Sequence, residues 1–218
     1  MEEKTEVIPL RGMDAWVPPS DEFGCSMIFV GSTRSGKTTM LNYIFSRHFK
    51  NYIITLMSNS LNSDAYKLLK KLGVNSDFFH AEILKDQYKI NHATKNHYKF
   101  MNILDDIPDK RNNQELKRML TIYRNSRISC AISVQGITML DKTCRGNINY
   151  VFLGRMNSDA EIEKVVKEYL VSWFPKNLRM HEKIGHYRKL TDDHHWICLN
   201  QIDGVIFRTK LKPSEVYT

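Results

Sequence analysis

One short segment constrains the chain more than any other: residues 31–38 read GSTRSGKT and match the pattern GxxxxGK[ST]. The apolar run at residues 26–30 has the length of a strand and leads directly into this segment, and apolar residues then recur at helical spacing up to about residue 48. Glycine permits backbone angles and close approaches that other residues forbid, so successive N–H groups of such a loop can point at phosphate oxygens. The pattern and its context therefore predict a P-loop, which binds a nucleoside triphosphate.

The loop and the residue after it supply the expected nucleotide contacts. We expect Lys37 to reach the β- and γ-phosphates of ATP, and the Thr38 hydroxyl to bind Mg²⁺. The predicted nucleotide-binding residues are Gly31, Ser32, Thr33, Arg34, Ser35, Gly36, Lys37, Thr38 and Thr39.

Two adjacent acidic residues, Asp105 and Asp106, end a second strand-like run at residues 100–104. A P-loop site needs a carboxylate on the metal side, at the end of a nearby strand. The pair fits if one carboxylate serves Mg²⁺ while the other orients or deprotonates the attacking water. The alternative is an ordinary polar strand exit, which the following Ile-Pro-Asp sequence would also suit.

A third candidate, Gln135, directly follows the strand-like run at residues 128–134. Ligands gather at the carboxyl ends of parallel strands, so this amide could hydrogen-bond both the γ-phosphate and a water molecule. A plain loop glutamine is the alternative.

The order of the predicted elements indicates the fold class. Strands alternate with helices, which is typical of an α/β domain with a mainly parallel central sheet flanked by helices. Asp203-Gly204 between two apolar runs predicts a C-terminal β-hairpin. A short helix is predicted over 64–72 with Gly73 as its stop, whereas residues 78–96 show no clear pattern.

Length and hydropathy indicate the domain organisation. A chain of 218 residues can build one large core, so we expect one domain with small additions. Residues 1–24 are predicted to form a loose N-terminal arm, and residues 25–218 a P-loop ATPase domain in which 175–218 add a helix and the hairpin. No apolar run approaches the length of a membrane span.

The chain is basic, with 32 Lys and Arg against 24 Asp and Glu, for a net charge of +8. Residues 1–22 are acidic, so the remainder carries a net charge of +12. This excess favours a polyanionic partner such as nucleic acid, although a solvated basic surface would look the same. If the partner is DNA, Lys110 and Arg111, in the loop after the acidic pair, are the candidates for contacting it.

Five segments together resemble the FtsK–HerA superfamily of P-loop translocases. The strongest likeness is to the genome-packaging ATPases of nucleocytoplasmic large DNA viruses and virophages, of the poxvirus packaging-ATPase type. The segments are residues 31–38, 103–106, 123–127, 132–135 and 146–152, and the likeness spans roughly residues 24–170.

The resemblance implies a RecA-like core in which the Gln135 strand lies between the P-loop strand and the Asp105 strand. It also implies roles: Asp105 as the Mg²⁺-side acid, Asp106 as the catalytic acid and Gln135 as the sensor of the γ-phosphate. Arg127 or Arg124 would be the arginine finger that completes a neighbouring subunit's site. Many family members have Glu where this chain has Asp106, so the water must lie closer or the strand end must shift.

The resemblance further implies an ATP-driven translocase that forms a homo-oligomeric ring on double-stranded DNA and packages a viral genome into a preformed capsid. Its partners would be DNA and a capsid or portal-vertex protein. It would work in the host cell cytoplasm or viral factory, with retention in the virion left open.

Two other functions fit the P-loop. One is a P-loop small-molecule kinase, and the other is a nucleotide-gated DNA-binding protein that does not hydrolyse ATP. A GTPase is disfavoured because the chain has no NKxD base-reading motif. ATP hydrolysis with and without double-stranded DNA would separate these functions.

Overall fold

The computed structural model describes residues 8–19, 23–106 and 113–211, which build one eight-stranded sheet. Six parallel strands are followed by an antiparallel hairpin at one edge, in the order β3-β2-β4-β5-β1-β6-β7-β8. The strands are β1 Ser26–Val30, β2 Ile53–Ser58, β3 Gly73–Ser76, β4 Phe100–Asp105, β5 Ile128–Val134, β6 Tyr150–Leu153, β7 His195–Asn200 and β8 Val205–Lys210.

Helices cover both faces of this sheet. They are α1 Lys37–His48, α2 Lys67–Lys70, α3 Ala81–Ala93, α4 Asn113–Thr121, α5 Lys142–Arg145, α6 Asp159–Val165, which continues as a π-helical turn over Val166–Leu170, and α7 Met180–Leu190. In the part of the chain that the structure describes, none of these helices has the length and hydrophobicity needed to cross a membrane.

Strand β1 is buried on both faces, which explains its unbroken apolar run. Ile28 and Val30 belong to one hydrophobic cluster, with α4, α6 and α7, whereas Met27 and Phe29 belong to the other, with α1. The predicted α/β class, with a mainly parallel sheet and a C-terminal hairpin, is confirmed.

The parallel register gathers the carboxyl ends of the central strands at one edge. Val30 of β1 pairs with Val134 of β5, and Asp105 of β4 pairs with Ser133 of β5. Strand β5 therefore lies between the P-loop strand and the Asp105 strand, as the resemblance implied.

Two local predictions differ from the structure. The helix predicted over 64–72 is a 3₁₀ turn, Asp64–Tyr66, followed by one turn of α2, and Gly73 opens strand β3 instead of only ending the helix. A Cβ atom on Gly73 would stand 2.0 Å from the Ile54 carbonyl oxygen, so glycine is what allows β3 to approach β2.

The unpatterned stretch at residues 78–96 contains helix α3. Its buried residues are Leu84, Gln87 and Asn91, and two of these three are polar. Gln87 Nε2 donates to Asn102 Oδ1 at 3.1 Å, and Asn91 Nδ2 donates to the Ser126 carbonyl at 2.5 Å. A helix whose buried face is polar and satisfied by hydrogen bonds shows little hydrophobic periodicity.

The expectation of a loose arm is wrong for residues 8–19. Arg11 N donates to the Arg208 carbonyl of β8 at 2.8 Å, and Arg208 N donates to the Pro9 carbonyl at 2.7 Å, so the segment pairs with the edge strand. Trp16 is buried, with its ring centroid 5.8 Å from that of Tyr150. The apolar side chains Ile8, Met13 and Trp16 hold the segment on the sheet. The domain boundary at residue 24 stays a prediction.

Trp16→Ala should lower the free energy of unfolding by about 3–5 kcal/mol, because it empties a packed aromatic site against β6. Urea unfolding followed by circular dichroism measures this. Val17→Ala is the matched control, since Val17 is 68% exposed and its loss should stay within about 0.5 kcal/mol. Equal, small effects of both substitutions would show that the segment does not belong to the core.

Candidate functional site

The P-loop is anchored to the ends of both strands that flank β1. Gly31 N donates to the Val134 carbonyl of β5 at 3.1 Å, and Ser32 N donates to the Arg155 carbonyl just after β6 at 2.8 Å. Gly36, at φ +92°, turns the chain into α1 in a conformation that favours glycine. The loop is thus held from both sides at the amino end of a helix, where backbone N–H groups favour anions.

Lys37 lies folded back into this loop. Its Nζ atom donates to the Gly31 carbonyl at 2.7 Å and to the Ser32 carbonyl at 3.2 Å. Burial lowers the pKa of Lys37, while the nearby carboxylates of Asp106 and Asp105 oppose that shift. The ammonium group is therefore close to both acids and to the expected phosphate position.

Asp105 is buried at the end of β4, where Tyr66 holds one of its oxygens. The Tyr66 hydroxyl donates to Asp105 Oδ2 at 2.5 Å and accepts a hydrogen bond from Ser58 Oγ at 3.2 Å. Burial raises the pKa of the Asp105 carboxyl group, partly offset by its hydrogen-bonding neighbours. This carboxylate is costly to keep in place without a positive partner.

Asp106 has a left-handed backbone, with φ +54°. Its N–H donates to the Ser133 carbonyl of β5 at 3.2 Å, and its own carbonyl accepts from Asn59 Nδ2 at 3.3 Å. A non-glycine residue in this conformation is strained, and strain of this kind is concentrated at functional sites. The turn takes Asp106 out of the extended conformation in which Asp105 ends β4.

The arrangement fits a Mg²⁺ ion. Asp106 Oδ1 is buried and has no hydrogen-bond partner among the described residues, and the Ser133 hydroxyl is the neighbour of the Asp105 carboxylate on the side away from Tyr66. The Thr38 hydroxyl lies beside the Tyr66 hydroxyl that holds Asp105. Carboxylate and hydroxyl oxygens are the ligands that Mg²⁺ takes in P-loop sites, so Thr38 and Asp105 are the residues that could hold it.

Gln135 lies directly against the P-loop. Thr33 Oγ1 donates to Gln135 Oε1 at 3.4 Å, and the glutamine side chain is otherwise exposed to solvent. The sheet edge therefore brings the phosphate loop, the acidic pair and this amide together, although they are far apart in the chain.

Glu161 fastens the loop that carries Gln135. Ser158 with Glu161 three residues later is the sequence pattern of a capping box at the start of α6. It forms only in part, because Ser158 Oγ accepts from Glu161 N but the Glu161 carboxylate binds elsewhere. It accepts from Thr138 N at 3.2 Å and from the Thr138 hydroxyl. A Cβ atom on Gly136 would stand 2.8 Å from this carboxylate, so glycine makes room for it.

Sequence reasoning missed the contributions of Tyr66 and Glu161 to the site. Tyr66 lies inside the segment predicted to be a short helix over 64–72, with no motif around it, and its partner Asp105 is 39 positions away in the chain. Glu161 lies three residues after Ser158, a spacing typical of a helix cap, and the sequence gives no other indication of its contact with Thr138.

The two arginines predicted as fingers lie at the opposite edge of the sheet. Arg127 directly precedes β5 and Gln135 directly follows it, so the strand rise separates them by about 26 Å. Arg127 Nη1 donates to the Asn96 carbonyl at 3.2 Å, and the Arg124 carbonyl accepts from Gly24 N at 2.7 Å. Neither residue can reach the P-loop of its own chain.

The predicted DNA-contacting candidates, Lys110 and Arg111, lie outside the described residues.

The sheet order and the loop define a P-loop NTPase with a RecA-like core. Residues 21–185 match the family described as Poxvirus A32 protein, and the chain belongs to that family. This match confirms the resemblance to the poxvirus type of packaging ATPase. Among curated proteins, none matches the chain.

Solved structures share the fold at low sequence identity. The genome packaging NTPase B204 from Sulfolobus turreted icosahedral virus 2 is 12% identical, with a TM-score of 0.65, over 87% of this chain and 97% of that one. The pCW3 conjugation coupling protein TcpA is 14% identical, with a TM-score of 0.57, over 95% of this chain and 71% of that one. EssC (ATPases 2 and 3) from Geobacillus thermodenitrificans is 13% identical, with a TM-score of 0.54, over 72% of this chain and 36% of that one.

Tyr66→Phe should lower the free energy of unfolding of the nucleotide-free protein by about 1–3 kcal/mol, because Asp105 loses its buried donor. Urea unfolding at neutral pH measures the loss. Tyr98→Phe is the control, since Tyr98 is 40% exposed. If both variants lose the same small amount, the hydroxyl of Tyr66 does not hold Asp105.

Proposed function

We propose that the protein is an ATP-hydrolysing motor on double-stranded DNA that packages a viral genome into a preformed capsid. The observation that carries this proposal is the convergence of Lys37, the Asp105-Asp106 pair and Gln135 at one sheet edge, in the strand order β4-β5-β1. Membership of the Poxvirus A32 protein family and the likeness to a genome packaging NTPase support the biological role.

The reaction is ATP plus water giving ADP plus phosphate. The P-loop N–H groups bind the phosphates, and Lys37 turns from the Gly31 carbonyl to the β- and γ-phosphate oxygens. Asp106 orients the attacking water and accepts its proton, while the Gln135 amide hydrogen-bonds the γ-phosphate and the same water. Mg²⁺, held by Thr38 and Asp105, would neutralise charge on the β- and γ-phosphates.

The left-handed backbone at Asp106 offers a reason why this chain can have Asp where many family members have Glu. Asp is shorter by one methylene, so its carboxylate must approach the water by another route. The turn at φ +54° swings this residue out of line with β4, and the hydrogen bond to the Ser133 carbonyl holds it there. We propose that this backbone turn compensates for the shorter side chain.

A ring of identical subunits completes the site. Asp105, Asp106 and Gln135 bring no guanidinium group to the γ-phosphoryl oxygens, and Arg34 of the P-loop lines the cavities beside His194, on the other side of the loop. In related NTPases a guanidinium group at the γ-phosphate contributes a factor of about 10³–10⁵ in rate. Arg127 or Arg124 would supply it across a subunit boundary, since both lie at the edge opposite their own P-loop. A position too far from its own site suits a residue that acts on a neighbour.

The basic excess outside residues 1–22 suits a partner with a phosphate backbone, and Lys110 and Arg111 are our candidates for contacting DNA. A packaging motor also needs a capsid or portal-vertex protein to push against. Its place of work would be the host cell cytoplasm or viral factory.

ATP turnover should rise when double-stranded DNA is added, because translocation couples ATP hydrolysis to movement along DNA. Phosphate release with and without DNA measures this effect.

Asp106→Asn should retain ATP and Mg²⁺ binding but lower turnover by about 10²- to 10⁴-fold, since it removes the group that faces the water. Asn also tolerates the left-handed backbone, so the turn survives the substitution. Phosphate release with and without DNA, together with calorimetric ATP binding, measures both effects.

Other results of that assay would point elsewhere. Turnover only with a small phosphate acceptor would identify a kinase, and binding without turnover would identify a nucleotide-gated DNA-binding protein. Lys37→Ala is the reference for lost nucleotide binding. Wild-type turnover in Asp106→Asn would refute the assignment of the acidic pair.

Arg127→Asn should bind ATP normally and hydrolyse it at least about 10³-fold more slowly, because the neighbour's γ-phosphate loses its guanidinium. Asn is chosen since Arg127 has φ +56°, and Arg124→Ala tests the alternative residue in parallel. Wild-type turnover per subunit should rise with protein concentration, and added variant should inhibit wild-type subunits more than in proportion.

Arg118→Ala is the matched control, because Arg118 is a half-exposed arginine of α4 that pairs with Glu115 at 3.6 Å within its own helix. A dilute wild-type protein that turns over as fast as a concentrated one, with variants that only dilute activity, would exclude a finger in trans.

A further inference from the structure

A cavity of about 480 Å³ lies beside the P-loop, on the side of the C-terminal hairpin. We call it the hairpin pocket, and it is lined by Arg34, Gly36 and Thr39 of the P-loop and the start of α1 and by His194, Trp196, Lys210 and Leu211 at the hairpin. None of the functional assignments above uses these four hairpin residues.

An unusual turn places His194 at the pocket. Asp193 and His194 both have left-handed backbones, with φ +50° and +59°, which costs free energy at two successive non-glycine residues. The turn is held by His195 N, which donates to the Asp192 carbonyl at 3.0 Å, and by an ion pair between Asp193 and Lys210 at 2.5 Å. The turn fixes the position of His194 at the rim of the pocket.

Trp196 forms the wall between the hairpin and the loop. A Cβ atom on Gly154 would stand 2.8 Å from its ring, and the Trp196 Nε1 atom would lie 3.7 Å from a Cβ atom on Gly36. The indole thus occupies space that a side chain at Gly154 would need, and it borders the P-loop at Gly36. Leu211, half-buried, packs against the same core cluster as Trp196.

The strand order gives the direction of a bound nucleotide. The acidic pair and Gln135 lie on β4 and β5, to one side of β1, so the γ-phosphate points to that side. The hairpin strands β7 and β8 lie to the other side of β1. A triphosphate that runs from Gln135 across the loop towards Thr39 therefore delivers its nucleoside to the hairpin pocket.

A second cavity beside the loop suits a nucleoside less well. It has a volume of about 450 Å³ and shares Arg34 and His194 with the hairpin pocket, but its other lining residues are all polar or charged: Ser32, Thr33, Ser35, Arg155, Asn157, Asp192 and Asp193. The hairpin pocket adds an indole and a leucine, which offer the apolar and aromatic contacts that bases prefer.

We propose that the hairpin pocket binds the nucleobase and ribose of ATP, with Trp196, His194 and Leu211 contacting them. This inference rests on the proposed ATP binding by the P-loop. It assigns nucleoside recognition to the C-terminal hairpin. This hairpin follows the P-loop, the acidic pair and Gln135 in the chain.

The test compares ATP with inorganic tripolyphosphate, which has the phosphates but no nucleoside. In His194→Asn/Leu211→Asn protein with Mg²⁺, calorimetry should show ATP affinity lowered about tenfold, since the base loses its apolar and aromatic contacts. Tripolyphosphate affinity should stay within about twofold of wild type, which also reports that the P-loop is intact. His194→Asn alone keeps the left-handed turn and should give part of the loss.

The matched control is His181→Asn/Val205→Asn, because His181 is an exposed residue of α7 and Val205 lies at the other end of β8. It should leave both affinities unchanged. Unchanged ATP affinity in the hairpin-pocket variant, or an equal loss for ATP and tripolyphosphate, would overturn the assignment. Wild-type protein that binds neither compound would instead refute the proposed function itself.

Discussion

The parallel pairing of β1 with β5 on one side and β6 on the other is the constraint on which the site depends. It places the end of β1 beside two other strand ends, so the first two residues of the P-loop donate to the carbonyls of Val134 and Arg155. The same register sets Asp105 beside Ser133 and puts Gln135 at the loop. A register shift of one residue would move every side chain of the shifted strand to the opposite face of the sheet. It would break the hydrogen bonds of the P-loop to the strand ends, the Asp105–Ser133 pairing and the contact of Gln135 with the loop.

Three charged side chains, Lys37, Asp105 and Asp106, lie close together where these strands end, and the balance between their charges determines the chemistry of the site. Burial acts against the charged forms of both Lys37 and Asp105, while each partly supports the other. Tyr66 donates to one oxygen of Asp105, and the Ser133 hydroxyl is the other hydrogen-bonding neighbour of this carboxylate. The site therefore gives up stability in its empty form, which is the usual cost of preorganised polar groups that await a ligand.

The two sides of β1 carry different tasks. On one side, β4 leads into Asp105 and Asp106, and β5 leads into Gln135. On the other side, the end of β6 anchors the P-loop and the C-terminal hairpin forms the pocket beside Thr39. Residues 9–11 pair with Arg208 at the outer edge of β8 through two backbone hydrogen bonds, so part of that edge is covered. The arginines at the far edge face away from this machinery, which suits contact between subunits.

Much of this molecule could be read from its residues in order. The P-loop, the ends of β4 and β5 and the α/β class follow from local rules, because a glycine-rich turn, a continuous apolar strand and a strand exit are each encoded within a few neighbouring residues. Helix α3, the packing of Trp16 and the roles of Tyr66 and Glu161 could not be read in this way. Each depends on a partner far along the chain. The buried face of α3 is polar and therefore shows no hydrophobic periodicity. Tyr66 becomes the donor to Asp105 only because folding brings its 3₁₀ turn to the end of β4. Sequence determined which groups could do chemistry, and the tertiary structure decided which of them meet, since only folding brings distant donors and acceptors within hydrogen-bonding distance.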